Sequence, residues 1–369
     1  MIEFTSALYL GLKHASRSLR PWAQLTTGAP AALTVPPAAA AAARDLAALQ
    51  GCECATLGPS TLHLFWDLGE IFAESRSAIY VDAGAYPIAM WGAERAAARG
   101  TPVRRFAHHD VDALWRLLRG SGAGLRPVVV SDGFCPGCGK PAPLAAYLEM
   151  ATHGKGWLVI DDTQALGILG HSPEGSRPYG EGGGGMPRWS NISSPHLVVV
   201  ASLAKAFGAP LAALSGSAAF VRHFEERSET RVHCSPPSLA AIHAMEHALA
   251  MNRACGEALR LCLVRSVRYF RARLRGVGLA PTRGLFPVQG LAPARGLDAR
   301  ALHSRLLRAG VATVLHRRHE RRPACISFLI NAHHTFEQLD EAASALAEAA
   351  AETGSATRLD QDHEHHLYV

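Results

Sequence analysis

Lysine is scarce in this sequence: only four of its 37 basic residues are lysines, at positions 13, 140, 155 and 205. Charged residues make up 18% of the chain and aromatic residues 7%. The net charge is +6, but the arginines are spread along the chain with acidic residues between them, and the few aromatic residues offer no platform for stacking bases. We therefore expect no nucleic-acid partner and only a mild attraction for anionic ligands.

Disulfides, membrane spans and export signals are also not indicated. Eight cysteines in 369 residues are too few for a disulfide scaffold. No apolar stretch reaches the length of a membrane span, and the first residues lack the basic and apolar regions of a secretory signal. These absences predict a cytoplasmic protein with reduced thiols and no membrane span.

Short apolar runs at 79–82, 128–132, 157–161 and 197–202 alternate with helical stretches along the first two thirds of the chain. Hydrophobic residues make up 48% of the sequence, which is enough for a large core. Apolar strands that alternate with helices indicate parallel pairing buried on both faces. The pattern therefore predicts an α/β fold with a large, mainly parallel sheet and helices on both of its faces.

The pattern divides the chain into four segments. We expect an irregular N-terminal arm over residues 1–40 and a large domain over residues 41–250. From about residue 277 the pattern changes to β runs mixed with helices, so a small C-terminal α+β domain is expected over 251–352. The polar tail, 353–369, is predicted to be disordered.

Two glycine-containing stretches lead to further expectations. The sequence GEGGGG at 180–185 has no strand directly before it, so it indicates a flexible surface loop rather than a phosphate-binding loop. The helical pattern over 236–276 contains Gly256, where we expect a break.

Polar residues follow two of the apolar runs, at the strand ends where parallel sheets bind ligands. Asp161 and Asp162 follow one run, and Lys205 follows another. A lysine flanked by alanine and phenylalanine is costly to desolvate as ammonium, so its pKa falls, and a neutral lysine is what Schiff-base chemistry requires. Together with a carboxylate, it outlines a pyridoxal phosphate (PLP) site. These residues alone equally allow a surface lysine at a helix start and a capping aspartate.

Five motifs decide between these interpretations, because their order resembles the α-oxoamine synthase family of fold-type I PLP-dependent enzymes. They are FTSALYLGLKH (4–14), CATLGPSTLHLF (54–65), the segment from VVVSDG to GILG (128–170), ASLAKAFG (201–208) and NAHHT (331–335). The resemblance covers nearly the whole chain. It implies a fold-type I PLP-dependent transferase whose cofactor is pyridoxal 5'-phosphate.

The resemblance also implies roles for residues around the cofactor ring. Lys205 would form the internal aldimine and later move protons at the substrate α-carbon. Asp161 would pair with the pyridine nitrogen and keep the ring an electron sink. Gln164 takes the place of the family histidine near the phenolic oxygen, and its amide still donates there. Tyr86 takes the place of a histidine that stacks on the ring.

Phosphate binding is implied for four further residues. Ser60 and Thr61 would supply backbone and hydroxyl donors, and Ser202 stands for the family threonine that reaches the phosphate. Ser235 would reach a phosphate across a dimer interface. No residue is assigned as a metal ligand.

The sequence departs from the family pattern in the region that handles the substrate. Ser327 stands where the family has an arginine that clamps the substrate carboxylate, and serine cannot replace that bidentate contact. The arginine pairs at 317–318 and 321–322 either supply the missing clamp or form a solvated turn. Cys135 and Cys138 form a CxxC motif that reads as an ordinary turn, with a metal site, a redox pair or a thiol role in substrate handling as alternatives.

These observations favour an α-oxoamine synthase-like acyltransferase with a rebuilt substrate site. It would condense an amino acid with an acyl thioester, carried by coenzyme A or an acyl-carrier protein, through a quinonoid carbanion. An aminotransferase, a lyase or another PLP-dependent reaction of secondary metabolism on the same fold is the alternative. A third hypothesis is a non-enzymatic relic that binds PLP or a partner. A homodimer is expected from the resemblance.

Overall fold

The structure is a computed structural model that describes residues 1–120, 124–281, 284–291, 298–316 and 324–364, with side chains described as far as residue 352. The arginine pairs at 317–318 and 321–322 and the last five residues of the predicted tail lie outside the described residues. Within these ranges, no helix is long and apolar enough to cross a membrane. None of the eight cysteines, all of which are described, forms a disulfide.

The chain divides into two compact units. The larger unit contains Leu12–Cys135 and Lys140–Glu257, and the smaller contains Met1–Gly11, Pro136–Gly139 and Ala258–Val369. The sequence predicts an N-terminal arm over 1–40 and a domain boundary at 250. The structure instead assigns the first eleven residues to the smaller unit, because Phe4, Tyr9 and Leu10 are buried there.

Strands and helices are numbered in chain order. The strands are β1 (Ile2–Glu3), β2 (Cys54–Gly58), β3 (Ser77–Asp82), β4 (Val103–Phe106), β5 (Arg126–Asp132), β6 (Phe134–Cys135), β7 (Lys140–Pro141), β8 (Trp157–Asp161), β9 (Leu197–Ser202), β10 (Ala212–Gly216), β11 (Val288–Gly290), β12 (Val311–Ala312), β13 (Val314–His316) and β14 (Cys325–Leu329). The helices are α1 (Pro37–Gln50), α2 (Thr61–Glu74), α3 (Pro87–Ala98), α4 (Val111–Arg119), α5 (Leu144–His153), α6 (Met186–Trp189), α7 (Ala218–Arg227), α8 (Glu229–His233), α9 (Leu239–Gly276), α10 (Ala299–Arg308) and α11 (Phe336–Glu364).

The larger unit is built on a seven-stranded sheet in the order β2-β10-β9-β8-β5-β3-β4. β10 runs antiparallel to both of its neighbours, and the other strands are parallel to one another. The four predicted apolar runs are β3, β5, β8 and β9, and their residues are almost all buried. The expected mainly parallel sheet is therefore confirmed, and the carboxyl ends of β2, β3, β4, β5, β8 and β9 meet at one edge.

The smaller unit contains two short sheets of its own. β1 pairs in parallel with β12, and β14 lies between β11 and β13 with antiparallel pairing on both sides. Phe4, Phe270 and Phe328 pack against one another in its core, with ring centroids 5.1–6.0 Å apart. The small α+β domain inferred from the sequence is therefore present.

Helix α11 differs from the expectation at its end. It continues to Glu364, into the segment for which the sequence predicts a disordered tail from residue 353. No proline follows Ala351, so nothing in the sequence removes a backbone donor and forces the helix to stop.

The break expected at Gly256 is wrong, because α9 runs without interruption from Leu239 to Gly276. A glycine inside a helix costs about 1 kcal/mol relative to alanine. Apolar residues of α9 are buried on both sides of Gly256, among them Leu249 and Leu263, and this burial outweighs that cost.

The glycine cluster at 180–185 is wrongly predicted as a flexible surface loop. Gly183, Gly184 and Gly185 are buried, and the amide of Gly185 donates to Leu169 O at 2.7 Å. A Cβ atom added to Gly184 would lie 2.3 Å from Leu49 O. These glycines are required because other backbone segments approach too closely for a side chain.

Candidate active site

Lys205 lies in a tight turn that directly follows β9. The amide of Gly208 donates to the carbonyl of Lys205 at 3.1 Å, and Gly208 adopts a left-handed conformation with φ of 63°. The flanking Ala206 and Phe207 are buried. The turn is also fixed from outside, because His14 Nε2 donates to Phe207 O at 2.6 Å.

The environment of Lys205 makes its amine easier to deprotonate. Burial lowers the pKa of Lys205, and the negative charges of Asp161 and Asp132 only partly oppose that shift. Lys205 therefore lies near these two carboxylates, after the carboxyl end of β9. This agrees with the desolvation that the sequence predicts.

Asp161 ends β8 and is buried. Its Oδ1 accepts a hydrogen bond from the amide of Thr163 at 2.9 Å, and Thr163 Oγ1 in turn accepts from the amide of Ser202 at 2.9 Å. Burial raises the pKa of Asp161, while Thr163 and Lys205 act in the opposite direction. A buried carboxylate at this edge can hold a cationic ring nitrogen of a ligand.

Asp132 is a second carboxylate at this edge, and the sequence analysis did not assign it. It ends β5 and is the register partner of Asp161 on β8. Burial and the charge of Asp161 both raise the pKa of Asp132. The signal was present in the sequence, because the run 128–132 ends in this aspartate, but only the strand register brings the two carboxyl groups together.

Asp162 makes different hydrogen bonds from those of Asp161. Its two carboxyl oxygens accept from the amide of Met186 at 3.1 and 3.2 Å. It is fully buried, and this burial raises its pKa well above the ordinary value for aspartate. These hydrogen bonds of Asp162 therefore stabilise the start of α6 and the buried glycine segment before it.

Ser60 and Thr61 follow β2, which runs in the same direction as β9 and so ends at the same edge. Thr61 is the first residue of α2, and the side chain of Ser60 does not cap the helix. The Ser60 hydroxyl hydrogen-bonds to His63 Nδ1 at 2.9 Å. Helix α2 therefore begins with amide groups that its N-cap side chain does not satisfy, an arrangement suited to a phosphate.

Tyr86 directly precedes α3 and its side chain is 53% exposed. Its amide donates to Asp132 Oδ1 at 2.9 Å, which fixes the tyrosine backbone to the carboxylate at the end of β5. An aromatic ring held at the ligand-binding edge with half of its surface open can stack on a planar ligand.

Three further residues were predicted to bind the ligand, and they differ in burial and in position. Ser202 ends β9, and its hydroxyl oxygen accepts from the amide of Ala204 at 3.3 Å, so the hydroxyl proton is left to donate elsewhere. Gln164 is half-buried and lies just after Asp162 and Thr163. Ser235 is exposed after α8, and its predicted role across a dimer interface stays a prediction.

Ser327 lies in β14 of the smaller unit and is 4% exposed. Its hydroxyl hydrogen-bonds to His316 Nε2 at 3.0 Å. Desolvation lowers the pKa of His316, so the ring is neutral near pH 7. The position of the expected carboxylate clamp therefore holds a neutral serine–histidine pair.

A comparison with known families matches residues 25–346 to the family model described as aminotransferase class I and II. The 8-amino-7-oxononanoate synthase of Sodalis glossinidius is 33% identical over 182 residues, which are 49% of this chain and 43% of that relative. The enzyme of the same name from Methylococcus capsulatus is 30% identical over 255 residues, 68% of this chain and 62% of that relative. The chain thus spans about half of the length of these curated relatives.

Solved structures share the fold at low sequence identity. A serine palmitoyltransferase from S. paucimobilis superposes with a TM-score of 0.82 at 14% identity, covering 95% of this chain and 87% of that chain. An 8-amino-7-oxononanoate synthase from Francisella tularensis gives a TM-score of 0.69 at 17% identity, with coverage of 94% and 97%. At such identities the likeness establishes the fold, which is the fold-type I architecture that the sequence predicts.

Proposed function

The chain belongs to the aminotransferase class I and II family, and on that premise we propose that it is a PLP-dependent acyltransferase of the α-oxoamine synthase type. It condenses an amino acid with an acyl thioester. The observation that carries the proposal is the half-buried Lys205 after β9, whose pKa is lowered by desolvation and raised by the nearby carboxylates of Asp161 and Asp132 at the ligand-binding edge of the sheet.

The residues at this edge fit pyridoxal phosphate by their chemistry. The cofactor requires an amine, an anionic partner for its ring nitrogen, a flat hydrophobic contact and donors for a phosphate. Lys205, Asp161 and Tyr86 supply the first three. Ser60 and Thr61 at the start of α2, with Ser202, supply the phosphate donors, and Gln164 supplies an amide for the phenolic oxygen.

When bound, pyridoxal phosphate supplies an electron sink for negative charge that develops at the α-carbon of an amino acid. The chain supplies the proton chemistry around that atom. Desolvation lowers the pKa of Lys205 and so makes its neutral Nζ more available to accept a proton from the α-carbon and return one later. The buried Asp161 stabilises positive charge on the ring nitrogen, which a solvated carboxylate would do less effectively.

The position at which the family has its carboxylate-clamping arginine carries no cation in this chain. Ser327 and the neutral His316 offer hydrogen bonds but no positive charge. The amino-acid carboxylate is therefore bound by another cation or leaves as carbon dioxide. This supports an altered substrate rather than a lost activity, because the residues suited to the cofactor are retained.

Transamination is the second candidate, and the missing arginine favours it as much as it favours an altered acyl transfer. The two reactions release different products from the same amino acid. Acyl transfer liberates the thiol of the acyl carrier, whereas transamination produces a keto acid without it. A lyase would release no free thiol, and any keto acid that it formed by elimination would be accompanied by ammonia.

The test incubates the purified full-length protein with glycine, alanine or serine and a series of acyl-coenzyme A thioesters. Free coenzyme A is separated by chromatography, so the protein's own cysteines do not interfere. We expect release that depends on one amino acid and is abolished by Lys205→Ala. The matched control, Lys155→Ala, changes a lysine outside the site and should retain activity. Keto acid without free coenzyme A would contradict acyl transfer.

We also propose a homodimer located in the cytoplasm. Helices α2 and α3 begin at the ligand-binding edge and carry Leu62, Trp66 and Trp91, which are 39–50% exposed. Exposed aromatic residues next to a site are typical of a protein–protein interface. Light scattering that gives twice the 39.3 kDa chain mass would support the dimer, and a fully active monomer would contradict it.

A further inference from the structure

Asp82, at the end of β3, is a buried carboxylate that accepts several hydrogen bonds. Its Oδ1 accepts from His108 Nδ1 at 2.7 Å and from the amide of Gly84 at 2.7 Å. Its Oδ2 accepts from the amide of His109 at 3.0 Å and from the hydroxyl of Tyr147 at 3.4 Å. Burial alone would raise the pKa of Asp82, but the imidazole and amide donors outweigh it and lower that pKa, so the carboxylate stays ionised.

The contact with Asp82 sets the tautomer of His108. Because Nδ1 carries the proton that it donates to Asp82, Nε2 is the ring nitrogen whose lone pair is left to take up another proton. The ring also makes a side-chain hydrogen bond with Cys135, and a ring nitrogen lies within 4.8 Å of Cys135 Sγ. The hydrogen bonds to Asp82 and Cys135 outweigh the effect of burial and raise the pKa of His108 to about 9, so the ring is positively charged near neutral pH.

Asp82, His108 and Cys135, all in the larger unit, therefore follow one another as carboxylate, imidazole and thiol. This arrangement activates cysteine nucleophiles, because a third group orients the base and the base takes the proton of the thiol. A thiol beside a protonated imidazole ionises more readily, and the thiolate is the nucleophilic form. The three side chains thus have the parts of a nucleophilic site that the cofactor chemistry at Lys205 does not use.

Cys135 lies beside the proposed active site. It ends β6, the short strand that follows Asp132 at the end of β5. Burial and the charge of Asp161 raise the pKa of Asp132, and the charge of Cys135 adds to that shift, so the thiol is close to this carboxylate. Cys135 is only 6% exposed, which would shield an acyl group on its sulfur from hydrolysis.

We propose that Cys135 is a second nucleophile of this enzyme, which accepts the acyl group from the acyl thioester before that group reaches the amino acid. His108 is the base that takes the proton of the thiol, and Asp82 is a positioning residue that holds His108. The inference rests on the proposed acyl transfer, because that reaction supplies the acyl donor. It adds a covalent acyl-enzyme step on the chain's own sulfur.

The step balances without an oxidant or a reductant. The thiolate of Cys135 attacks the carbonyl carbon of the thioester, the bond from that carbon to the carrier sulfur breaks, and the carrier leaves as a free thiol with the proton that His108 held. One thioester replaces another. The α-carbon of the amino acid then takes the acyl group from Cys135, the sulfur departs as a thiolate, and a proton from solvent restores the charge of His108.

The first test leaves out the amino acid, so its result does not depend on the later steps of the reaction. The unaltered holoenzyme is incubated with acetyl-, octanoyl- or palmitoyl-coenzyme A and a phosphine reductant, and peptide mass spectrometry locates the acyl group. We expect one acyl group on Cys135 that hydroxylamine removes. Acyl groups only on other cysteines, or none with any of the three donors, would overturn the proposal.

Three variants sharpen this test. Cys135→Ser should carry no hydroxylamine-sensitive acyl group, and His108→Gln should acylate about a hundredfold more slowly. The matched control Cys262→Ser removes an exposed thiol on α9 and should acylate as the unaltered protein does. The pyridoxal phosphate content of each variant shows whether it has folded. Release of coenzyme A on addition of an amino acid, without acylation of Cys135, would leave acyl transfer standing and remove only its covalent step.

A second measurement does not depend on the choice of acyl group. In the unaltered chain, iodoacetamide should alkylate Cys135 at a rate that is half-maximal below about pH 7, as for a thiolate paired with an imidazolium. Cys262 serves as the internal control and should follow an ordinary thiol ionisation at about pH 8.5. His108→Gln should raise the half-maximal pH of Cys135 by about one unit or more. A Cys135 that stays unreactive, or a profile that His108→Gln leaves unchanged, would contradict the proposal.

Discussion

Asp132 and Asp161 are register partners at the ends of the adjacent parallel strands β5 and β8, and the charges of both raise the pKa of Lys205 against the effect of burial. The charge of Asp161 adds to burial in raising the pKa of Asp132. Lys205 and Thr163 oppose the effect of burial on the pKa of Asp161, so Asp161 is the carboxyl group of the pair that more readily carries a negative charge.

Asp161 and Asp162 should respond differently to the same substitution. Asp161→Asn removes the negative charge that faces Lys205, and turnover should fall by roughly a hundredfold or more, as for other preorganised charges. Asp162→Asn keeps an acceptor for the amide of Met186, so its effect on turnover should be less than about tenfold. Steady-state rates at saturating cofactor measure both. The opposite ranking would show that the ring nitrogen is bound by Asp162.

The stability of the protein should depend on pH through Asp162. Its pKa is raised in the folded state, so the folded chain holds the proton more tightly than the unfolded chain. The contribution to stability is therefore complete below the unfolded pKa of about 4. It is lost as pH rises through the higher folded value, by up to about 1.4 kcal/mol for each pH unit.

Urea unfolding at several pH values checks this dependence. The difference in unfolding free energy between Asp162→Asn and the unaltered protein should shift in favour of the variant as pH rises above about 4. A difference that stays constant with pH would mean that the carboxyl group of Asp162 ionises normally.

Replacement by alanine should destabilise the fold to different extents at two glycines of the loop that contains the buried glycine segment. A Cβ atom at Gly170 would lie 1.8 Å from Glu181 O, so Gly170→Ala should lower the unfolding free energy by about 2 kcal/mol or more. Gly175 has no atom within 4 Å of such a Cβ, and Gly175→Ala should be neutral or stabilising by up to about 1 kcal/mol. Comparable effects of the two changes in urea unfolding would contradict the ordered loop.

Much of the fold could be predicted because the signals are local. The four apolar runs of the sheet and the lysine turn after β9 are each encoded within a few residues. Three features could not be predicted from the sequence: the role of Asp132, the His108–Asp82 contact and the burial of the glycine loop. Each of them depends on strand register or on the approach of backbone that is distant in sequence. The expected break at Gly256 failed because packing outweighs helix propensity.

Restoring the family arginine should not restore an ordinary synthase. Ser327 is buried against the neutral His316, so Ser327→Arg introduces a positive charge at a buried position, at a cost of several kcal/mol. We expect no gain in turnover with glycine, alanine or serine. Ser304→Arg, at an exposed position of α10, serves as the control for an added charge. A tenfold or greater gain from Ser327→Arg would show that the pocket is only a weakened version of the ordinary site.

The most direct test of the account is the identity of the lysine that binds pyridoxal phosphate. The protein should be yellow as purified, and borohydride reduction followed by peptide mass spectrometry should place the cofactor on Lys205, the lysine whose pKa burial lowers. The chain has only three other lysines, so the assignment is unambiguous. Label on Lys205, absent from Lys205→Ala, is the predicted result. Label on Lys13, Lys140 or Lys155, or no label on a protein saturated with cofactor, would contradict the account.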